Sequence, residues 1–251
     1  MIKSMASLAG AEWRRQWKVM TAYPFELVTS SLSFLIITFG ILFGISKLGS
    51  GLQMFGVIVF PLVMNIIGGM SASIRADVQI GTFDQVYNSP YTLFQISLVR
   101  TMISSSLSLI ISVLTALLVY FFFFPFHIGG GVLLYSIFVL ILLSFAISSL
   151  LAAFTLLFRK IDAFLNLVNI FLLLVLTLPY YNWPSSVRQL LALILPYSGL
   201  IQYIQAAAEG NPSGAGLWMM TANLLLWLLG SGLTYTASLR IARKAGTLGM
   251  Y

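Results

Sequence analysis

Residues 132–158 read VLLYSIFVLILLSFAISSLLAAFTLLF, 27 positions without one charged side chain. About 20 apolar residues in a helix cross the hydrocarbon core of a bilayer, so this stretch is long enough to span it with tilt to spare. Windows of about 19 residues find further apolar runs near 25–45, 54–74, 96–124, 161–180 and 217–239. Six predicted spans make an all-α integral membrane protein. Composition points the same way: 59% of the 251 residues are hydrophobic and 8% charged, where a soluble domain carries about 25% charged residues.

The charges sit between the apolar runs and orient the chain. Six crossings place both termini on one side, where Lys3, Arg14, Arg15, Lys18, Arg75, Arg100, Arg159, Lys160, Arg240, Arg243 and Lys244 fall, leaving Lys47 and Arg188 opposite. The positive-inside rule then predicts cytoplasmic termini in a multi-pass protein of the cell (plasma) membrane. The net charge of +7 is a topology signal on this reading and no sign of nucleic acid. The first apolar run is too long for a cleaved signal peptide. With no Cys and one His, neither disulfides nor a thiolate or imidazole metal cluster is expected.

The stretch Ser185 to Ala208 is apolar, but Pro196 divides it into pieces too short to cross, and Arg188, Gln189, Gln202 and Gln205 lie within it. Counting it as a span would also move Arg240, Arg243 and Lys244 outside. It reads as a short external re-entrant helical hairpin, residues 184–209, between spans five and six. Such irregular backbone is tolerated at membrane depth only where protein or water satisfies it.

Ahead of the first span, residues 4–22 form a predicted amphipathic interface helix. Trp13, Trp17 and Met20 fall on one arc, and Arg14, Arg15 and Lys18 on the other. The indoles suit the headgroup level of the membrane, and the basic groups suit lipid phosphates. Between spans two and three, residues 75–90 read RADVQIGTFDQVYNSP. Asp77 and Asp84, seven apart, share one helical face, and Phe83 and Tyr87 another. Gly81 interrupts the helix, Thr82 is a candidate cap for its second part, and Ser89-Pro90 ends it.

At these residues the sequence resembles the membrane subunits of ABC-2-type transporters, whose corresponding loop reads as an acidic residue, Gly-Thr-Leu-Glu, a short apolar stretch and Ser-Pro. The matching positions are Asp77, Gly81-Thr82-Phe83-Asp84, Val86-Tyr87 and Ser89-Pro90. Phe replaces Leu, Asp replaces Glu, and Gln79 and Ile80 stand where an acidic residue often precedes the glycine. The prolines after span five (Pro179, Pro184, Pro196) follow the family's order as well. The resemblance implies a single permease domain over residues 1–251, paired with a second copy or a paralogue. It also implies two cytosolic ABC ATPase subunits, with residues 76–89 as a coupling helix seated in the ATPase. The cargo would be a drug, lipid, peptide or lipid-linked glycan.

Independently, no Lys lies in a phosphate-binding loop, since only Lys3 is followed by Ser or Thr and it has no room for a preceding glycine-rich segment. Hence no cofactor is expected in this chain, and ATP and Mg would be bound by the partner. An embedded enzyme would need paired carboxylates, a metal cluster or an activated nucleophile, and none of these is evident. An ion-coupled secondary transporter or a channel is the competing reading. No carboxylate lies at mid-membrane to favour the carrier. Asn65, Asn166, Asn169 and Asn223 are the candidate pathway residues, although an intramembrane Asn also serves simply to bond helices together. Ser144 and Ser148 have the spacing for close helix approach.

Overall fold

The computed structural model describes residues 2–25, 29, 32–33, 36, 40, 53–82, 86, 89–122, 130–158, 162–178, 180, 183–208, 210 and 214–244. Among these every regular element is helical: α1 (Ile2–Ala22), α2 (Gln53–Ile80), α3 (Leu93–Phe122), α4 (Gly130–Leu157), α5 (Asp162–Thr177), α6 (Ser185–Ile194), α7 (Ser198–Ala208) and α8 (Gly214–Lys244). Three described stretches, 58–80, 130–157 and 214–242, are long and apolar enough to cross a membrane. The 30-residue α3 covers the third predicted span. At 1.5 Å per residue the 16-residue α5 is about 24 Å long, shorter than the run at 161–180 suggested. Most of the first predicted span lies outside the described residues, as do His127 and Phe123–Phe124.

α4 is the centre of the bundle, because its apolar and small residues go all the way round. It packs on α8 and α2, while α2 also contacts α3 and α5, and α3 carries α1. The core pairs Val63, Ile66 and Ile67 of α2 with Leu140, Leu143 and Leu151 of α4. The buried positions 59, 62, 63, 66, 67, 70 and 74 of α2 recur at the three-four spacing of one helical face. Ser148 Oγ accepts a hydrogen bond from the Met70 backbone N–H at 3.3 Å, so the small residue on α4 admits the α2 backbone. Gly56 makes the α2–α5 contact possible, since a Cβ there would lie 2.0 Å from the Leu176 carbonyl oxygen.

The two short helices α6 and α7 pack on each other and on α8 and α4. Breaking a helix at Pro196 leaves the last carbonyls of α6 without intrahelical partners, and neighbouring side chains take them up. Asn223 Nδ2 donates to the carbonyls of Leu193 (2.8 Å) and Leu195 (2.9 Å). Trp227 Nε1 donates to that of Ile194 at 3.2 Å, and Ser198 Oγ adds a bond to that of Leu195 at 2.8 Å. Tyr197 takes the turn at φ 67° and is buried, its hydroxyl 2.9 Å from Ser144 Oγ. A left-handed backbone is costly for a residue with a Cβ, and this enclosure holds it in place. Tyr180, the last residue of the apolar run at 161–180, is fully buried and donates to the Val175 carbonyl at 2.8 Å.

Candidate functional site

The segment joining α2 to α3 is bounded by two capping motifs written in its sequence. α2 does not stop near residue 76 as the loop pattern suggested; it runs on through Asp77 to Ile80 and ends at Gly81, whose φ is +78°. The Gly81 N–H donates to the Val78 carbonyl (3.2 Å) and the Thr82 N–H to the Asp77 carbonyl (2.9 Å). These are the two closing bonds of a Schellman motif, which requires the left-handed residue that glycine supplies. Thr82 then accepts from the Val86 N–H at 3.0 Å, beginning a new turn. At the far end Thr92 and Gln95 form a reciprocal capping box, with the Thr92 N–H to Gln95 Oε1 at 3.0 Å and the Gln95 N–H to Thr92 Oγ1 at 3.3 Å. Phe83, Asp84 and Tyr87 lie outside the described residues. Ser89 and Pro90 lead into the turn, where the Tyr91 N–H donates to Ser89 Oγ at 3.4 Å.

The root of this segment is ionic. Arg100, two turns into α3, places Nη1 2.6 Å from Asp77 Oδ2 and 3.3 Å from Ser73 Oγ, and its Nε lies 2.9 Å from Glu12 Oε1. Glu12 in turn holds Arg15 Nη1 at 3.2 Å through its other oxygen. Arg15, Glu12, Arg100 and Asp77 therefore form a chain of alternating sign with no net charge. A lone guanidinium in an apolar helix would be expensive, and two carboxylates from two other helices remove that expense. Asp77 is 4% exposed, so it faces inward. Thr82 Oγ1 adds a 3.3 Å bond to Asp77 Oδ1.

α1 spans the base of the segment. Glu12 meets its entry through Arg100, and Ser7 Oγ lies 3.2 Å from Tyr91 Oη at its exit. The face of α1 turned toward the bundle is Leu8, Glu12, Gln16 and Met20, all half-buried, whereas Trp13 and Trp17 are 50% and 59% exposed and Arg14, Arg15 and Lys18 are exposed as well. Of the arc Trp13, Trp17 and Met20, only Met20 packs toward the bundle, and the two indoles stay on the outer surface. The Glu12–Arg100 pair turns α1 so that a charged residue faces the protein and the indoles face out.

A cavity of about 490 Å³ opens beside this junction, lined by Glu12, Arg15, Gln16, Asn65, Gly68, Arg75, Arg100 and Ser104 among others. Asn65 is exposed on α2 and Asn166 on α5. Counting along both helices from the Gly56–Leu176 contact, nine residues to Asn65 and ten to Asn166, gives depths of about 14 Å and about 15 Å at 1.5 Å per residue. Asn65 lines this cavity, whereas Asn166 lines a separate, shallow pocket on α5 with Ala163, Leu167, Ile170 and Leu174. Asn169 is half-buried, and Asn223 is buried with its amide committed to the α6 carbonyls. Arg100, which the charge count treated only as a topology signal, is the residue sequence reading missed; a single cation inside the run at 96–124 was its one signal.

These features define a membrane-embedded helical protein in which Glu12, Arg15, Asp77 and Arg100 are gathered at one junction of the bundle. Residues 4–207 match the family model described as ABC-2 type transporter, and the chain belongs to that family. It is an ABC-2 type permease, a membrane transport domain. No curated protein and no solved structure matches the chain.

Proposed function

We propose that this chain is the membrane-spanning subunit of an ATP-driven exporter, working with separate cytosolic ATPase subunits that bind ATP and Mg. Its termini and the α2–α3 segment face the cytoplasm, and six spans cross the plasma membrane, with α6 and α7 as the external hairpin. The observation that carries this reading is the construction of the segment from Gly81 to Thr92. It leaves α2 through a Schellman motif, enters α3 through a capping box, and is tied at its root to Arg100. The two caps are ordinary helix ends, so it is the buried Arg100–Asp77 tie that supports a mechanical role for the connector.

In this mechanism ATP-driven closure of the partner pushes on the segment, and α2 and α3 carry the displacement into the membrane. Phe83, Asp84 and Tyr87 are the contacts offered to the ATPase. Asp77 is the internal anchor that makes the push rigid. Gly81 and Thr82 set the exit angle, and Ser89 and Pro90 set the return. A second copy, or a paralogue, faces α2 and α5, and cargo passes between the protomers along Asn65 and Asn166. Amide side chains left exposed at mid-span are costly against lipid and are accommodated in a polar route. The nearly uncharged surroundings suit a hydrophobic or amphiphilic cargo.

Affinity purification of the tagged chain from its native membranes tests the reading. An ATPase subunit co-purifies, and Asp84→Lys releases it while the permease stays folded in the membrane. Absence of any nucleotide-binding partner under conditions that preserve complexes would overturn it.

A further inference from the structure

The charged side of α1 and its grip on the coupling segment are joined through one carboxylate. Glu12 gives Oε1 to Arg100 at 2.9 Å and Oε2 to Arg15 at 3.2 Å. Because Arg15 occupies the second oxygen, Arg100 holds Glu12 through Nε alone among the contacts described. An arginine and a carboxylate bind more strongly and with a more defined geometry when they pair through two parallel bonds. The Arg15 side chain is 51% exposed. It shares a surface groove with Trp13, Arg14, Trp17 and Lys18, a set of indoles and cations that suits a headgroup layer bearing phosphates.

We propose that α1 is a sensor of anionic lipid: phosphate-bearing headgroups on the Arg14–Lys18 side draw Arg15 away from Glu12, release its second oxygen to Arg100, and so tighten the clamp that α1 makes across the base of the segment from Asp77 to Tyr91. The occupant is a surface of anionic phospholipid, chosen by charge complementarity. Three cations and two indoles face out on this stretch of α1, and its one carboxylate is turned inward. The regulatory meaning of the clamp rests on the coupling role proposed above, but the clamp itself is measured without any ATPase.

The chain contains no Cys, so Ala6→Cys and Gln79→Cys, both at exposed positions, accept nitroxides on α1 and on the last turn of α2 without background. The full-length labelled chain, diluted with unlabelled chain, is placed in nanodiscs of phosphatidylcholine alone or mixed with phosphatidylglycerol. The distance distribution is then read by double electron–electron resonance. It narrows when phosphatidylglycerol is present. Arg15→Gln gives the narrow distribution in both lipids, since Arg100 then has Glu12 to itself, and Glu12→Gln gives a broad one in both. A distribution of equal width in the two lipids for the parent chain, or a lipid response retained by Arg15→Gln, overturns the proposal. Narrowing by inorganic phosphate in phosphatidylcholine discs overturns the assignment to a lipid surface. Failure here leaves the permease reading standing, and failure to find an ATPase leaves the lipid response standing.

Discussion

Arg100 Nη1 lies 2.6 Å from Asp77 Oδ2, joining the start of α3 to the last turn of α2 across 23 residues of chain. The Asp77 side chain is 5% exposed and that of Arg100 17%, so the pair is shielded from water. Removing one member of such a pair leaves an incompletely compensated charge, which costs about 3 to 5 kcal/mol when nothing else compensates. Glu12 compensates part of it here. Asp77→Ala is therefore expected to destabilise the protein by about 2 to 3 kcal/mol, at the low end of that range or just below it. A thermal unfolding series in detergent checks this, and an unchanged midpoint would remove Asp77 as the anchor of the segment.

Gly81 tests the exit from α2 without side-chain contacts, because a Cβ built there meets nothing within 4 Å. Only the φ of +78° penalises a substitution, by about 1 to 2 kcal/mol for an ordinary L residue and less for Asn. The expected order of stability is Gly, then Asn, then Ala, then Val, with ATPase co-purification following it. A Val variant as stable as the parent would show that the left-handed turn is not maintained in the membrane.

Gly56 and Gly68, both on α2, should respond in opposite ways. An added Cβ at Gly56 would meet the Leu176 carbonyl, whereas at Gly68 it enters open space beside the cavity. Gly56→Ala forces α2 and α5 apart and lowers the yield of folded protein. Gly68→Ala is neutral or stabilising by up to about 1 kcal/mol, the usual gain of Ala over Gly within a helix. Size-exclusion profiles and unfolding midpoints of the two variants separate these outcomes; equal effects would contradict the α2–α5 contact.

Asn223 supplies two hydrogen bonds to carbonyls freed by the break at Pro196. The Leu195 carbonyl keeps its bonds from Ser198 Oγ and the Ser198 N–H, so Asn223→Leu strips mainly the Leu193 carbonyl; it is expected to lose about 1 to 3 kcal/mol, the cost of one buried carbonyl left unpaired, and to increase protease access between α6 and α7. Trp227→Phe, which removes one donor and keeps most of the ring, should lose less. Equal stability of Asn223→Leu and the parent would mean that water reaches these carbonyls.

Much of this architecture was legible in the chain because local rules wrote it. Apolar run length marked three helices long enough to cross a membrane; Gly81 marked a helix break, which proved to be the end of α2, and Pro196 the division between α6 and α7. Each of these depends on neighbouring residues alone, through helix length, a left-handed backbone or a missing N–H. The family resemblance of residues 77–90 is of the same local kind.

Tertiary structure decided the rest. Periodicity put Trp13 and Trp17 on an apolar face but could not say that α1 turns Glu12 inward, because that orientation depends on Arg100, 88 residues away. It placed Asp77 and Asp84 together on one face, while the burial of Asp77 depends on a cation from another helix. The local sequence determined which segments are helical and apolar, since those preferences are summed along the chain. Which charges and hydroxyls go inside was settled only by folding, since a polar group is buried where a distant partner compensates it.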